Sequence, residues 1–181
     1  MQRTRKFLIL SVLMLLVFLS FSFLSCTPKV DVKLYFSKYT DNETYLEPEI
    51  RQIIQDKNFY KSIIQELVKG PKNKDLYPTL PSNTIVNSVK IENDLAIVDL
   101  SKEIITNTKD IPHSSTTEIL ALFSIVNTLT EFKEIKKVRI TIEGKKSGQI
   151  EGLYIQDFWG HVGIYEDFTR NEEVIGKNIS E

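Results

Sequence analysis

The first 25 residues constrain this chain more than any other feature of its sequence. Arg3, Arg5 and Lys6 precede an apolar run that reads FLILSVLMLLVFLSFSFL, and no acidic residue interrupts it. A basic start followed by an apolar segment is typical of a secretory signal, and a run of this length is also near the lower limit for a membrane-spanning helix. Past Pro28 the sequence becomes charged and alternating. Both interpretations therefore place residue 27 and everything after it on the outer side of a membrane.

Cys26, the only cysteine in the chain, ends this segment. The sequence Phe23-Leu24-Ser25-Cys26 resembles a bacterial lipobox, in which a small residue precedes a cysteine that is diacylated and becomes the new N-terminus. Phe23 stands where leucine is commonest. The lack of a second cysteine removes a disulfide role within the chain, and two acyl chains give stable anchoring.

We therefore predict a lipoprotein signal peptide over residues 1–25, lipid attachment at Cys26 and a short tether over residues 26–31. The domain would occupy residues 32–170, and residues 171–181 would form a flexible tail. This assignment puts the protein on the outer face of the cell membrane, with the membrane itself as one partner. The alternative is an uncleaved anchor helix that contains an incidental cysteine.

Charge narrows the range of other partners. Residues 1–25 hold three of the 23 Lys and Arg residues and none of the 24 Asp and Glu residues, so the remaining 156 residues carry a net charge of −4. A chain of this length can bury a substantial core as one domain. Because no basic block is present, we expect no nucleic-acid partner.

Apolar spacing predicts the secondary structure. Val32–Phe36 alternates as a strand, and Ser37 to Pro48 is polar and turn-rich, which indicates a surface loop. Leu46–Arg51 could form a short strand that leads into the first helix. Tyr60, Ile63, Ile64, Leu67 and Val68 follow helical spacing, with Asn58 as a candidate cap and Gly70-Pro71 as the end.

The second half of the chain predicts a hairpin, a helix and a strand. Asn93-Asp94 lies between two strand-like runs, Ile85–Ile91 and Leu95–Leu100, and the second run is apolar enough to lie centrally in a sheet. Ser115 and Glu118 have the spacing of a capping box, followed by a mostly apolar helix. Lys137–Ile142 is a clean strand, and Ile150–Ile155 is a shorter candidate. The order β-α-β-β-α-β predicts an α+β fold, a two-layer sandwich with a mostly antiparallel sheet packed against two helices.

Six segments in this order resemble successive motifs of the GerMN domain, over roughly Val32 to Gly144. They are Val32-Lys33-Leu34-Tyr35-Phe36, Leu67-Val68-Lys69-Gly70-Pro71, Leu80-Pro81-Ser82-Asn83-Thr84, Ala96-Ile97-Val98-Asp99-Leu100-Ser101, Ile125-Val126-Asn127-Thr128-Leu129-Thr130-Glu131-Phe132 and Val138-Arg139-Ile140-Thr141-Ile142-Glu143-Gly144.

This family is named for sporulation and spore germination and also occurs in other cell-envelope lipoproteins. The resemblance implies a fold related to the ring-building modules of secretion machines and a noncatalytic scaffold that contacts envelope or sporulation proteins. A homo-oligomer is among the partners considered. Some family members carry two such domains, and this chain carries one.

The inventory of catalytic residues is thin. His113 and His161 are the only histidines, and they lack the spacing of a zinc site, so we expect neither a metal nor a cofactor and no enzyme activity. Two carboxylates could serve a wall-lytic glycosidase, but Asp99 is expected to cap the turn after its strand with Ser101. Glu118 is expected to complete the capping box.

Recognition is expected at Asp157, Phe158 and Trp159, because exposed aromatic side chains anchor interfaces. The alternative is that these rings cover one end of the core. An open sheet edge is a second way to bind a partner. The sequence therefore predicts a noncatalytic envelope lipoprotein acting as an interaction or assembly module in sporulation or germination. The alternative is a peptidoglycan-binding or peptidoglycan-modifying envelope protein.

Overall fold

The structure, a computed structural model, describes residues 27–176. Cys26 and the signal segment lie outside this range, as do the last five residues. The elements follow in the order β1 (Lys29–Tyr39), β2 (Thr44–Ile54), α1 (Phe59–Val68), β3 (Val86–Glu92), β4 (Leu95–Leu100), α2 (Glu103–Thr106), α3 (Ser115–Leu129), β5 (Lys137–Ile142), β6 (Gln149–Ile150), β7 (Leu153–Tyr154) and a 3-10 turn (Ile155–Asp157). The α+β class is confirmed.

The first sheet is a long antiparallel hairpin made of β1 and β2, in continuous register from Lys29–Ile54 to Tyr39–Thr44. The sequence predicted a loop as far as Pro48, but the turn covers only four residues and closes with a hydrogen bond of 2.9 Å from the Thr40 amide to the Glu43 carbonyl. The short strand predicted over Leu46–Arg51 lies inside β2. The polar composition of the stretch concealed the rest of β2, because half of that strand faces solvent.

The second sheet contains three strands in the order β3-β4-β5. Asn93 takes a left-handed φ of 58° in the predicted hairpin turn, and β4 is central, as its apolar sequence indicated. β5 runs parallel to β4, since the chain between them crosses over through α2 and α3. The strands are thus divided between two sheets, with a separate two-stranded pair from β6 and β7, and do not form the single sheet that the sequence suggested.

The two longer helices supply much of the core. Ile63, Ile64 and Leu67 on α1 are fully buried, and the helix is followed by Gly70 with a φ of 81°. Asn58 makes no side-chain cap. α3 is buried on most sides, as its sequence predicted. Among residues 27–176, no helix combines the length and the apolar character needed to cross a membrane.

The predicted boundaries of the domain need correction at both ends. β1 begins at Lys29, inside the expected tether, and the Pro28 carbonyl accepts a hydrogen bond of 2.9 Å from the Gln55 amide. At the other end, the backbone of Val174 and Gly176 bonds to Leu46. The described part of the expected tail, residues 171–176, is therefore attached to the hairpin, because its backbone groups find partners on the edge of β2.

The hairpin is joined to α1 by a buried guanidinium. Arg51 on β2 is 5% exposed and contacts the carboxylates of Glu49 at 2.7 Å and Glu66 at 3.0 Å. It also donates to the carbonyls of Glu66 and Gly70 at the end of α1 and lies 5.3 Å from the centre of the Phe36 ring. Burial alone would raise the pKa of Glu66, but Lys69 and Arg51 hold it below its usual value.

Arg51→Ala is expected to lower the free energy of unfolding by about 3 kcal/mol, because it leaves two carboxylates and two carbonyls without their buried partner. Urea unfolding of residues 27–181 measures the change. Lys69→Ala is the control, since Lys69 pairs with the same Glu66 from a largely exposed position and should cost less than about 1 kcal/mol. Equal losses in the two variants would contradict this account.

Candidate functional site

The predicted recognition segment lies against the core. Phe158 is 4% exposed and Trp159 is 7% exposed, and the indole Nε1 donates a hydrogen bond of 2.7 Å to the carbonyl of Ile104. Asp157 is half-buried and accepts from the Tyr165 hydroxyl. The expectation of an exposed aromatic anchor at these three residues is thus corrected, and the rings close one end of the core.

Glu118 holds this segment in place. The side chain is fully buried and accepts hydrogen bonds from the amides of Trp159 at 3.4 Å and of His161 and Gly163 at 2.8 Å. The predicted capping box is therefore wrong, because Ser114 is the cap and its partner is Thr117. Glu118 is the next residue of the helix after Thr117. Its buried carboxylate accepts hydrogen bonds from the loop, so a substrate has no access to it.

The backbone of the loop turns so that its amides converge on Glu118. Phe158 and Gly160 take left-handed φ values of 53° and 91°, and Gly163 takes 76°. A Cβ on Gly163 would lie 2.4 Å from the Tyr165 ring and 2.6 Å from the Gln156 carbonyl. Glycine is required here for both conformation and space. The strained backbone is thus explained by the buried carboxylate that it surrounds.

His113 packs under the same loop. Its ring stacks on Trp159, with centroids 4.4 Å apart and planes 8° from parallel, and its Nε2 is buried without a hydrogen-bond partner. Burial lowers the pKa of His113, and a nearby backbone hydrogen bond and the charge of Glu118 oppose this effect. His161 is exposed. Across residues 27–176, no cluster of three His, Cys, Asp or Glu side chains could hold a metal ion.

Asp99, the second carboxylate considered for catalysis, also has a structural role. It accepts hydrogen bonds from the Thr141 hydroxyl at 2.8 Å and from the Gly144 amide at 2.7 Å, and thereby ties the ends of β4 and β5 together. The expected cap shared with Ser101 is corrected, because Ser101 accepts from the amide of Ile85. Glu118 and Asp99, the two carboxylates considered as a hydrolytic pair, thus both make structural hydrogen bonds.

The strongest candidate for binding is the outer edge of β2, which the sequence did not identify. Leu46 bonds outward to the C-terminal segment, and its hairpin neighbour Ser37 bonds outward to Tyr77. In an antiparallel pair, the outward direction recurs at every second residue. The amides and carbonyls of Ile50, Gln52 and Ile54 therefore point away from β1. Pro48 has the same orientation, so its missing N–H costs no hydrogen bond within the hairpin.

The side chains of the three outward residues Ile50, Gln52 and Ile54 are uncharged and exposed. Ile50 is 66% exposed and Ile54 is 49% exposed, with Gln52 exposed between them. We call the stretch from Ile50 to Ile54 the free β2 edge, because its outward side has no partner strand among residues 27–176. A groove of about 250 Å³ runs beside it towards α1, lined by Gln52, Ile53, Ile54, Ser62, Gln65, Glu66 and Lys69.

The neighbouring strand differs in chemistry. On β1 the residues paired with the free β2 edge are Lys29, Asp31 and Lys33, and all three are exposed. Charged side chains on a strand oppose pairing with another chain. β1 therefore carries charges that oppose pairing with another chain, and the matching stretch of β2 has no exposed charge. The sequence EIRQII indicates a strand, because exposed and buried positions alternate along it. Such a pattern does not show which strand of a sheet forms the edge.

The chain matches a known family profile and several solved structures. The profile, described as Germane, sporulation and spore germination, matches residues 33–148. The tandem GerMN domains of the sporulation protein GerM from Bacillus subtilis align with a TM-score of 0.61 and 22% identity, over 84% of this chain and 49% of that one. This chain thus spans about half the length of that two-domain structure.

Two further structures are similar. The first GerMN domain of GerM from Bacillus subtilis aligns with a TM-score of 0.52 and 25% identity, over 76% of this chain and 99% of that one. A candidate lipoprotein from Clostridium perfringens aligns with a TM-score of 0.50 and 28% identity, over 82% of this chain and 91% of that one. No curated protein matches.

Glu118→Leu is expected to lower the free energy of unfolding by about 3 kcal/mol, because three buried amides lose their acceptor. Emission from Trp159, the only tryptophan, should shift to the red as the loop opens. Glu118→Gln is the control: it keeps one acceptor oxygen but presents an amide donor to one of the three N–H groups, so its loss should be smaller. An unchanged emission spectrum in Glu118→Leu would refute the role assigned to this carboxylate.

The loop should also respond to pH through His113. Its pKa is lower in the folded protein than in the unfolded chain, so its contribution to stability is complete above about pH 6.5. That contribution is lost as the pH falls towards the folded-state pKa. Thermal unfolding between pH 8 and pH 5, followed by Trp159 emission, measures the effect. His113→Phe keeps the stacking and should reduce the pH dependence. His161→Gln should change it less, because the charge of His161 is the smallest of the influences on the pKa of His113.

Proposed function

The chain belongs to the Germane family of sporulation and spore germination proteins, and from this premise we propose that it is a noncatalytic, lipid-anchored interaction module. It works at the outer face of the cell membrane and contacts other proteins during sporulation or germination. The observation that carries this proposal is the free β2 edge, where backbone groups without a partner strand in residues 27–176 lie beside exposed isoleucines. Such an edge binds extended segments through main-chain hydrogen bonds.

The arrangement of the polar residues supports a noncatalytic role. Glu118 and Asp99 are used to hold a loop and a strand end, and His113 is stacked under Trp159. Each of these groups stabilises the fold and is directed away from an open cleft. The outward backbone groups of Ile50 and Gln52, in contrast, make no hydrogen bond within residues 27–176.

The position of β1 supports attachment near a bilayer. Cys26 is followed by Thr27 and Pro28 only before β1 begins at Lys29, and two extended residues span about 7 Å. Acyl chains on Cys26 would therefore hold the start of the hairpin against the membrane. β1 has 11 residues, so its two ends are about 35 Å apart, measured along the strand.

The far end of β1 favours a second candidate, binding to peptidoglycan. Tyr39 and Tyr77 form an edge-to-face pair with ring centroids 5.0 Å apart, and they are 45% and 50% exposed. Exposed tyrosines offer flat apolar surface with a polar tip, which suits a sugar as well as a protein. Co-sedimentation of residues 27–181 with cell-wall sacculi tests this candidate, and loss of sedimentation in Tyr77→Ala would support it.

Labelling cells with a clickable fatty acid tests the anchor. The wild-type chain should be labelled, and Cys26→Ser should lose the label because no other cysteine is available. Ser25→Ala serves as the control, since a small residue remains before the cysteine. Label retained in Cys26→Ser would remove lipid attachment from the proposal. A deletion strain that sporulates and germinates normally would count against the biological role.

A further inference from the structure

We propose that the free β2 edge pairs with the same edge of a second copy of this chain, as antiparallel strands centred on Gln52. This inference rests on the proposed function, because it names the partner of the contact assigned there to β2. The product would be a two-fold dimer in which the two hairpins join into one four-stranded sheet.

The limits of the edge determine the register. Pro48 has no N–H to donate, and beyond Ile54 the chain leaves the strand, with the Asp56 amide bonded back to the Ile54 carbonyl at 3.1 Å. Three outward-facing residues remain, and Gln52 is the middle one. Centring two copies on Gln52 places Ile50 opposite the partner's Ile54. A shift by two residues in either direction leaves one outward residue in each copy opposite the proline or the end of the strand.

The chemistry of the edge favours a copy of itself. An isoleucine, a glutamine and an isoleucine read the same in both directions, so antiparallel pairing sets isoleucine against isoleucine and glutamine against glutamine. On the exposed face of the joined sheet, Ile50 of each copy would pack beside the partner's Ile54, and both side chains are exposed in the single chain. On the inner face, Arg51 would lie opposite the partner's Ile53 and not opposite a like charge, and each Arg51 already pairs with its own Glu49 at 2.7 Å.

The charged residues on β1 give a second reason to expect self-pairing through β2. β1 also has outward backbone groups beside Lys29, Asp31 and Lys33, yet this row carries charges that resist pairing. Antiparallel pairing of that row with itself, centred on Asp31, would set lysine opposite lysine and aspartate opposite aspartate. Neither row has a further partner strand in the described part of the chain, residues 27–176. The uncharged row therefore favours a second copy, and the charged row opposes one.

Attachment to one bilayer is compatible with this symmetry. The two-fold axis is normal to the joined sheet, so the two Lys29 residues lie at the same height along it. Strand spacings of about 4.8 Å and a rise of about 3.4 Å per residue place them about 20 Å apart. Anchoring raises the effective concentration of two such copies. The dimer would contain two GerMN domains, as the Bacillus subtilis relative does in one chain.

Cysteine cross-linking in membranes tests the register directly with the full-length chain. Residues facing each other in a hydrogen-bonded antiparallel pair have Cα atoms about 5.5 Å apart, which is within disulfide range. Gln52→Cys should therefore give at least tenfold more disulfide-linked dimer on mild oxidation than the wild-type chain, which contains Cys26 alone. Lys33→Cys, exposed on the same face but one strand from the seam, should remain near the wild-type level.

Gln52→Lys tests the seam independently. It brings two ammonium groups together on the symmetry axis, and sedimentation of the full-length chain in detergent should show at least a tenfold weaker dimer. Gln52→Pro should have the same effect, because Pro48 shows that the hairpin accommodates a proline with this orientation. Unchanged circular dichroism and thermal unfolding would establish that both variants fold.

Two results would overturn the dimer: no cross-linking of Gln52→Cys above the wild-type level, or a dimer that is unaffected by Gln52→Lys. These results are separable from a failure of the proposed function. If Gln52→Lys impairs sporulation or germination while no dimer is found, the edge binds a different protein and the interaction module stands. If Cys26→Ser keeps its fatty-acid label while the dimer is present in detergent, the anchor fails and the dimer stands.

Discussion

The buried guanidinium of Arg51 decides how the two halves of this domain meet. A long hairpin is marginal by itself, and β1–β2 needs a helix against its inner face. Arg51 reaches from β2 to the carbonyls at the end of α1 and pairs with Glu49 and Glu66 on the way. Because these partners satisfy its charge, the strand can bury Arg51 on one face and leave Ile50 and Gln52 on the other. The outward edge follows from that orientation.

Glu118 has the same kind of role at the opposite end of the core. Three amides of the loop around Trp159 converge on its carboxylate, and the indole of Trp159 then reaches the carbonyl of Ile104. A carboxylate in such a position resembles a catalytic group when it is seen in the sequence alone. In the structure it replaces the hydrogen bonds that a loop without secondary structure cannot make for itself.

The carboxylates Glu118 and Asp99 are both used to hold the fold together. Within residues 27–176, the three outward residues of β2 and the three residues paired with them on β1 have no further partner strand. Their side chains are charged on β1 and uncharged on β2. This difference of three residues on each strand makes one edge a poor template for pairing with another chain and leaves the other edge without that protection.

The sequence by itself determined the α+β class, α1, the β3–β4 hairpin, the central position of β4 and the family, because these depend on local apolar spacing and turn residues. It also located the candidate lipid attachment at Cys26. Tertiary structure alone decided that Glu118 contacts a loop 41 to 45 residues away in the sequence, that Trp159 is buried and that β2 extends over 11 residues. It also decided which edge of the hairpin is open. These features depend on contacts between segments that are far apart in the sequence. A local pattern of residues does not show which distant segment will pack against it.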